Sequence, residues 1–267
     1  MTTYSELLQT LHSNEYQNLI ISDDWAQGRA CFGGLVAALL FKACKNAVND
    51  SERKVRNVQI TFVGPVAPNE ETRFVTTILR AGGSTTSVEC KVVQSGQVQS
   101  TMIASFGKSR ASSHSIAPAI ALPAYPHADE LKLFPYAQGI TPEFVQHFNM
   151  AWAEGSPPFN GDKSKTMGGW CQFKEQVIAA DEGDVLTLID SWPPIAIQML
   201  DKFSPVSTLN WSVQFIQELP ELSCRDWYQY RVEALQGDGG YSNTLAHFWS
   251  DEGELLAIST QTVAVFA

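Results

Sequence analysis

Gln261 sits in a stripe where a carboxamide is out of place. At the period of two of a strand, its face reads Leu255, Ala257, Ser259, Gln261, Val263, Val265. A carboxamide there needs hydrogen-bond partners or costs about 1 kcal/mol or more. It is either a satisfied core Gln or a group kept to orient a reactant. Asp190 closes the run Val185-Leu186-Thr187-Leu188-Ile189. In a helix it lies over Leu186 and Thr187, partly desolvated and near the helix C-terminus. Both effects raise its pKa and suit a general base. The alternative is a cap, with Asp190 or Ser191 starting a second helical turn at Trp192-Pro193-Pro194. Thr208 shares a strand face with Asn210, Ser212 and Gln214 and reads as solvent-facing, opposite a core face of Leu209, Trp211, Val213 and Phe215. Gly33-Gly34, at a helix start, offers backbone N–H groups with no side chain in the way. Such a terminus can hold an oxyanion, and close helix–sheet packing requires the same residues.

Other chemistries find little support. No GxSxG nucleophile elbow occurs. The histidines (His12, His114, His127, His147, His247) are scattered, and none falls on a central helix. The five cysteines (Cys31, Cys44, Cys90, Cys171, Cys224) have neither zinc-knuckle nor redox spacing. Buried free thiols in a reducing compartment are expected. A net charge of −10 disfavours nucleic acid and anionic membrane as partners. The densest basic tract, Ser51-Glu52-Arg53-Lys54-Val55-Arg56, reads as a solvated loop before a strand. Arg29 fits either a phosphate contact or an acid nearby. The polar start MTTYSELLQTLHSNEY reads as an amphipathic helix and not a secretory signal, and the longest apolar stretch, Leu35 to Phe41, is far too short to span a bilayer. A cytoplasmic protein is expected.

The elements that must position these residues fall into two similar sets. Residues 108–131, rich in Ser and Ala with Pro118, Pro123 and Pro126, have no sustained strand or helix period and read as an extended crossover. Residues 1–107 precede it and 132–267 follow it. On the left, a strand candidate at Tyr16–Ser22 leads to a helix at Leu35–Val48. Strand candidates follow at Val58–Val63, Thr72–Arg80, Ser87–Gln94 and Val98–Phe106. On the right, strand candidates at Phe144–Trp152 and Trp170–Glu175 lead to a helical stretch at Asp184–Met199, interrupted by Pro193-Pro194. Strands follow at Ser207–Ile216, Trp227–Leu235, Thr244–Ser250 and Leu255–Phe266. Gly83 to Gly96 and Gly240 to Gly253 are each separated by 13 residues and end alike in a turn. Counting eight residues on from Gly253 and Gly96 pairs Gln261 with Ala104, and counting seven back from Phe215 and Phe62 pairs Thr208 with Val55. A helix apolar over its whole circumference, Leu35 to Phe41, must be wrapped on all sides, and antiparallel strands without βαβ alternation signal an α+β fold.

The segments FGGLVAALL, VQITFVGPVAP and TILRAGGSTTSVECKVVQSGQVQSTMIASFGK resemble the first half of the acyl-CoA thioesterase II (TesB-like) family. LTLID, STLNWSVQF and SDEGELLAISTQ resemble its second half. The resemblance runs from about Trp25 to the end. It implies a double hotdog, in which each central helix is wrapped by a curved antiparallel sheet, and hydrolysis of acyl-CoA thioesters without a metal or other cofactor. It implies a catalytic Asp, Thr and Gln, which fall on Asp190, Thr208 and Gln261. Only the resemblance raises Thr208 above an ordinary strand Thr. The family's histidines in the strand matching Arg56–Val63 are absent here, where Gln59 and Thr61 stand. The expected partner is the acyl-CoA substrate, with pairing of sheet edges into a homo-oligomer. Two rivals remain open at this point: a hotdog enoyl-CoA hydratase, which needs an Asp–His pair, and a non-catalytic acyl-CoA-binding protein.

Overall fold

The computed structural model describes residues 3–11, 17–175, 181–216, 218–219 and 226–267; His12, Tyr16 and Cys224 lie outside them. A short helix, α1 (Tyr4–Gln9), is followed by β1 (Gln17–Ile20) and a small hairpin of β2 (Ala26–Gln27) and β3 (Ala30–Cys31). Then come the first central helix α2 (Gly33–Val48) and four long strands, β4 (Arg53–Phe62), β5 (Glu71–Ala81), β6 (Thr85–Gln94) and β7 (Gln97–Lys108). Residues 109–127 run extended, without helix or strand. The second set comprises β8 (Phe148–Glu154), β9 (Thr166–Phe173), the central helix α3 (Glu182–Ser191), β10 (Val206–Phe215), β11 (Tyr228–Asp238), β12 (Tyr241–Trp249) and β13 (Leu255–Val265).

All long strands belong to one 11-stranded sheet, ordered β1-β5-β6-β7-β4-β10-β13-β12-β11-β9-β8, with every neighbouring pair antiparallel. This is the double-hotdog α+β fold. The two halves join at β4–β10, where Gln59 faces Ser212 and the pairs on either side, Val58 with Val213 and Ile60 with Trp211, mirror each other. A local two-fold therefore passes through the Gln59–Ser212 pair.

α2 behaves as its composition demands. Residues Gly34 to Phe41 are all buried, since a helix with no polar face lowers its free energy only when enclosed. α3 is shorter than its sequence suggests. It ends at Ser191, and a separate 3-10 turn occupies Ile195–Met199. Pro193 and Pro194 lack the N–H groups that would continue the helix. The two helices lie antiparallel. Lys45, near the end of α2, pairs with Asp181 at 3.2 Å and Glu182 at 3.0 Å at the start of α3, while Gly33 and Gly34 meet Asp190 at the opposite end.

Candidate active site

α2 opens without a local cap, because its N-cap residue is Phe32 and no side chain there accepts its first amides. Those amides are orphaned unless something else receives them. Asp190 does so from α3: the Gly34 N–H donates to its carboxylate. The approach is close. A Cβ on Gly33 would stand 2.8 Å from Asp190 Oδ2, and one on Gly34 would stand 3.0 Å from Asp190 Cβ and 2.5 Å from the Phe32 ring. Glycine is required here by proximity. Asp190 therefore caps a helix after all, but the other module's helix rather than a turn at Trp192.

On the other side, Gln261 Nε2 donates to Asp190 Oδ1 at 3.2 Å. The carboxamide that looked misplaced in the apolar stripe of β13 thus has an ionisable partner. Burial pushes the Asp190 pKa up to about 7, opposed by the donors Gln261 and Gly34. The carboxylate is poised to exchange a proton near neutrality, and part of its surface remains open to solvent.

Thr208 does not face solvent as strand alternation suggests. A β-bulge between Thr208 and Asn210 makes Leu209 the extra residue, so Thr208 pairs with Val263, Asn210 with Thr262 and Trp211 with Gln261. Directly opposed residues share a face, and Val263 is fully buried. Thr208 therefore turns to the inner face, diagonal to Gln261 across β10–β13, at about 7–8 Å.

The first module carries the same backbone with different side chains. Its bulge lies between Val55 and Asn57, where Val55 pairs with Phe106, Asn57 with Ser105 and Val58 with Ala104. Val55 thus occupies the position of Thr208, and Ala104 that of Gln261, as counting gave. At the far end of the helix pair, Gly183 meets Ala38 and Phe41, each at 3.6 Å from its Cβ position. Gly34 meets Thr187 and Asp190 in the corresponding way. Ala38 and Phe41 are therefore the counterparts of Thr187 and Asp190, and at the mirrored location the Gly183 N–H is capped by Asp181 of its own helix instead.

Three neighbours of the site escaped the sequence. Phe62, on β4, lies 3.4 Å from the Cβ position of Gly33 and is the strand's inward residue there. Gln59 and Thr61 are exposed on the outer face, so neither replaces the missing histidine. Trp192 stacks on Tyr230 at 5.3 Å. Burial, with the Asp190 charge adding to it, holds the Tyr230 phenol protonated. The alternation of residue type in β11, with apolar Tyr228, Tyr230 and Val232 buried on one face, was the available signal for Tyr230.

Other titratable groups serve elsewhere. His147 stacks on Trp25 at 3.8 Å and lies 3.5 Å from Asp24. Burial pushes the Cys31 and Cys171 thiols up to about 12, away from nucleophilic character. Among the described residues, no three His, Cys, Asp or Glu side chains gather as a metal set. A surface depression of about 660 Å³ lies at the opposite end of α2, lined by Asn49, Asp50, Arg53 and Thr86 among others. Its Arg53 is already engaged by Asp50, Thr86 and the Gly82 and Gly83 carbonyls, so that basic tract is structural.

Residues 121–265 match the model of the acyl-CoA thioesterase C-terminal domain, and residues 21–107 match that of the N-terminal domain. No curated protein matches in sequence. Among solved structures, the chain is similar to a hot-dog-fold protein from Alicyclobacillus acidocaldarius, with a TM-score of 0.80, 23% identity and coverage of 97% of this chain and 98% of that one. It is also similar to acyl-CoA thioesterase II TesB2 from Mycobacterium marinum, with a TM-score of 0.74, 18% identity and coverage of 97% and 98%. A tesB protein from Mycobacterium avium subs paratuberculosis superposes with a TM-score of 0.77 at 15% identity, covering 99% of this chain and 100% of that one. At these identities the structural likenesses speak to the fold.

Proposed function

We propose that this chain, which belongs to the acyl-CoA thioesterase family, hydrolyses acyl-CoA at one site per chain, with Asp190 as the general base. The observation that carries this is the Gln261–Asp190 hydrogen bond made at the open end of α2, on a carboxyl group whose pKa lies at about 7. Such a group holds its proton weakly enough to be ionised at neutral pH and is basic enough to accept one from water.

In the proposed reaction, Thr208 and Gln261 orient a water molecule and Asp190 takes its proton. The water oxygen forms a bond to the thioester carbonyl carbon, and the carbonyl electrons move onto oxygen. The positive end of α2, with the Gly33 amide nearest the opening and Gly34 already holding Asp190, stabilises that oxyanion. Collapse breaks the C–S bond and releases CoA thiolate, which then takes up a proton. The other product is the free acid. Thiolate is a good leaving group, so no covalent enzyme intermediate is required.

The division into modules at 1–107 and 132–267, joined by 108–131, belongs to the same proposal. So do action in the cytoplasm and assembly through the sheet edges β1 and β8. No described helix is long and apolar enough to cross a membrane.

The test is thiol release from acetyl-, octanoyl- and palmitoyl-CoA. Steady release from at least one is expected; tight binding with no release from any would leave only a binding protein. The one-site proposal adds a paired expectation. Thr208→Val, which removes a hydroxyl at constant shape, should lower kcat by about tenfold. Val55→Thr, at the mirrored position, should leave kcat within about twofold. Equal losses at both positions would contradict the asymmetry.

A further inference from the structure

We propose that Thr187 is a positioning residue of this site, its hydroxyl tying the first turn of α2 to the helix that carries Asp190. The proposal rests on the assignment of Asp190 as general base.

Thr187 precedes Asp190 by one helical turn and is fully buried. Its Oγ1–H lies 3.3 Å from the Gly34 carbonyl oxygen and 3.0 Å from the Gly183 carbonyl oxygen. A mid-helix Thr commonly bonds back to the carbonyl four residues earlier, which accounts for Gly183. It does not account for Gly34, which belongs to another helix and another module. Gly34 is thus gripped at both ends of one residue: its N–H by Asp190 and its C=O by Thr187. Two contacts spaced one turn apart on α3 fix both the distance and the rotation of the α2 N-terminus relative to the carboxylate.

The hydroxyl is itself held. The Tyr4 OH lies 3.2 Å from Thr187 Oγ1, at the buried start of α1. Tyr4 also faces Asp184, and its own backbone N–H donates to Glu175 Oε2 at 3.0 Å. The N-terminal helix thereby braces the contact from behind. The mirrored position in the first module is Ala38, beside Gly183, where Phe41 stands in the place of Asp190 and the Gly183 N–H is capped locally by Asp181. A hydroxyl at one of two equivalent positions, on the side where the carboxylate comes from the opposite helix, is what a positioning role requires. General helix packing would use Ala at both.

The test compares Thr187→Val with Thr187→Ser in octanoyl-CoA hydrolysis across pH. Val keeps the shape and removes the hydroxyl. Its expected effect is a fall in kcat of about threefold to tenfold, the fold-change of one neutral hydrogen bond, with KM within about twofold. With α2 loosened, the Gly34 N–H donates less well, the ionised form of Asp190 is less favoured, and the acid limb of kcat moves to higher pH by about half a unit. Thr187→Ser should restore both rate and limb. Parental kcat and an unmoved limb in the Val variant would overturn the proposal. So would a Ser variant as impaired as Val, because packing would then be the cause. If Asp190→Asn retains parental activity, the general-base assignment fails; if that variant is inactive while Thr187→Val is normal, only the positioning role fails.

Discussion

Asp190→Asn is expected to lower kcat for acyl-CoA hydrolysis by about 10³-fold, within the range typical of losing a general base. Asn keeps an oxygen for the Gly34 N–H, so the mutual placement of α2 and α3 should persist. KM should therefore change little, and the loss should appear in the chemical step. The same substitution should raise stability. The carboxyl pKa is about 7 in the folded chain, above its ordinary value of 3.8, because burial disfavours the charge. The native state then binds the proton more tightly than the unfolded state, so stability falls as pH rises from about 4 to 7 and stays low above that. At pH 8 the ionised group destabilises the fold by on the order of 2–4 kcal/mol, part of which Asn relieves. Thermal unfolding at pH 8 should show the variant melting higher than the parent, and the difference should vanish near pH 4. A variant that is inactive but not stabilised at pH 8 would contradict the burial of the charge.

Gln261→Leu should have the second largest effect, lowering kcat by about 10²-fold. Leu fits the apolar stripe of β13, so stability should hold; the loss is that of the Gln261 amide donating to Asp190 Oδ1. Removing a donor to the charged form raises the pKa. The acid limb should therefore shift above its parental position, whereas loss of water orientation alone would leave it in place. The two contributions separate in one pH series: a lower plateau reports orientation, and a displaced limb reports the hydrogen bond.

Local composition carried much of this structure. The run from Leu35 to Phe41 admits no surface helix, and the fold encloses it. The matching intervals before Gly96 and Gly253 correspond to β6 and β12, each closed by a glycine in the left-handed region, at φ 77° and 85°. Simple counting from those glycines placed Ala104 opposite Gln261 in the repeat, counting back from Phe62 and Phe215 placed Val55 opposite Thr208, and the strand registers agree. Two kinds of fact were not legible. A one-residue bulge at Leu209 reverses the faces of β10 around it, and nothing in the alternation of Thr208, Asn210 and Ser212 announces it. The second kind is contact between modules. That Asp190 caps α2 and that Thr187 reaches Gly34 both depend on the antiparallel seam between helices about 150 residues apart in the chain. Periodicity within a segment cannot encode such pairs.

The pH dependence of kcat for thiol release by the unmodified enzyme bears most directly on Asp190 as a base held at the end of α2. The rate should rise through an acid limb centred at about 7 and then level off, because only the ionised carboxylate accepts a proton from water. A kcat that stays constant from pH 5 to about 8 would contradict the assignment.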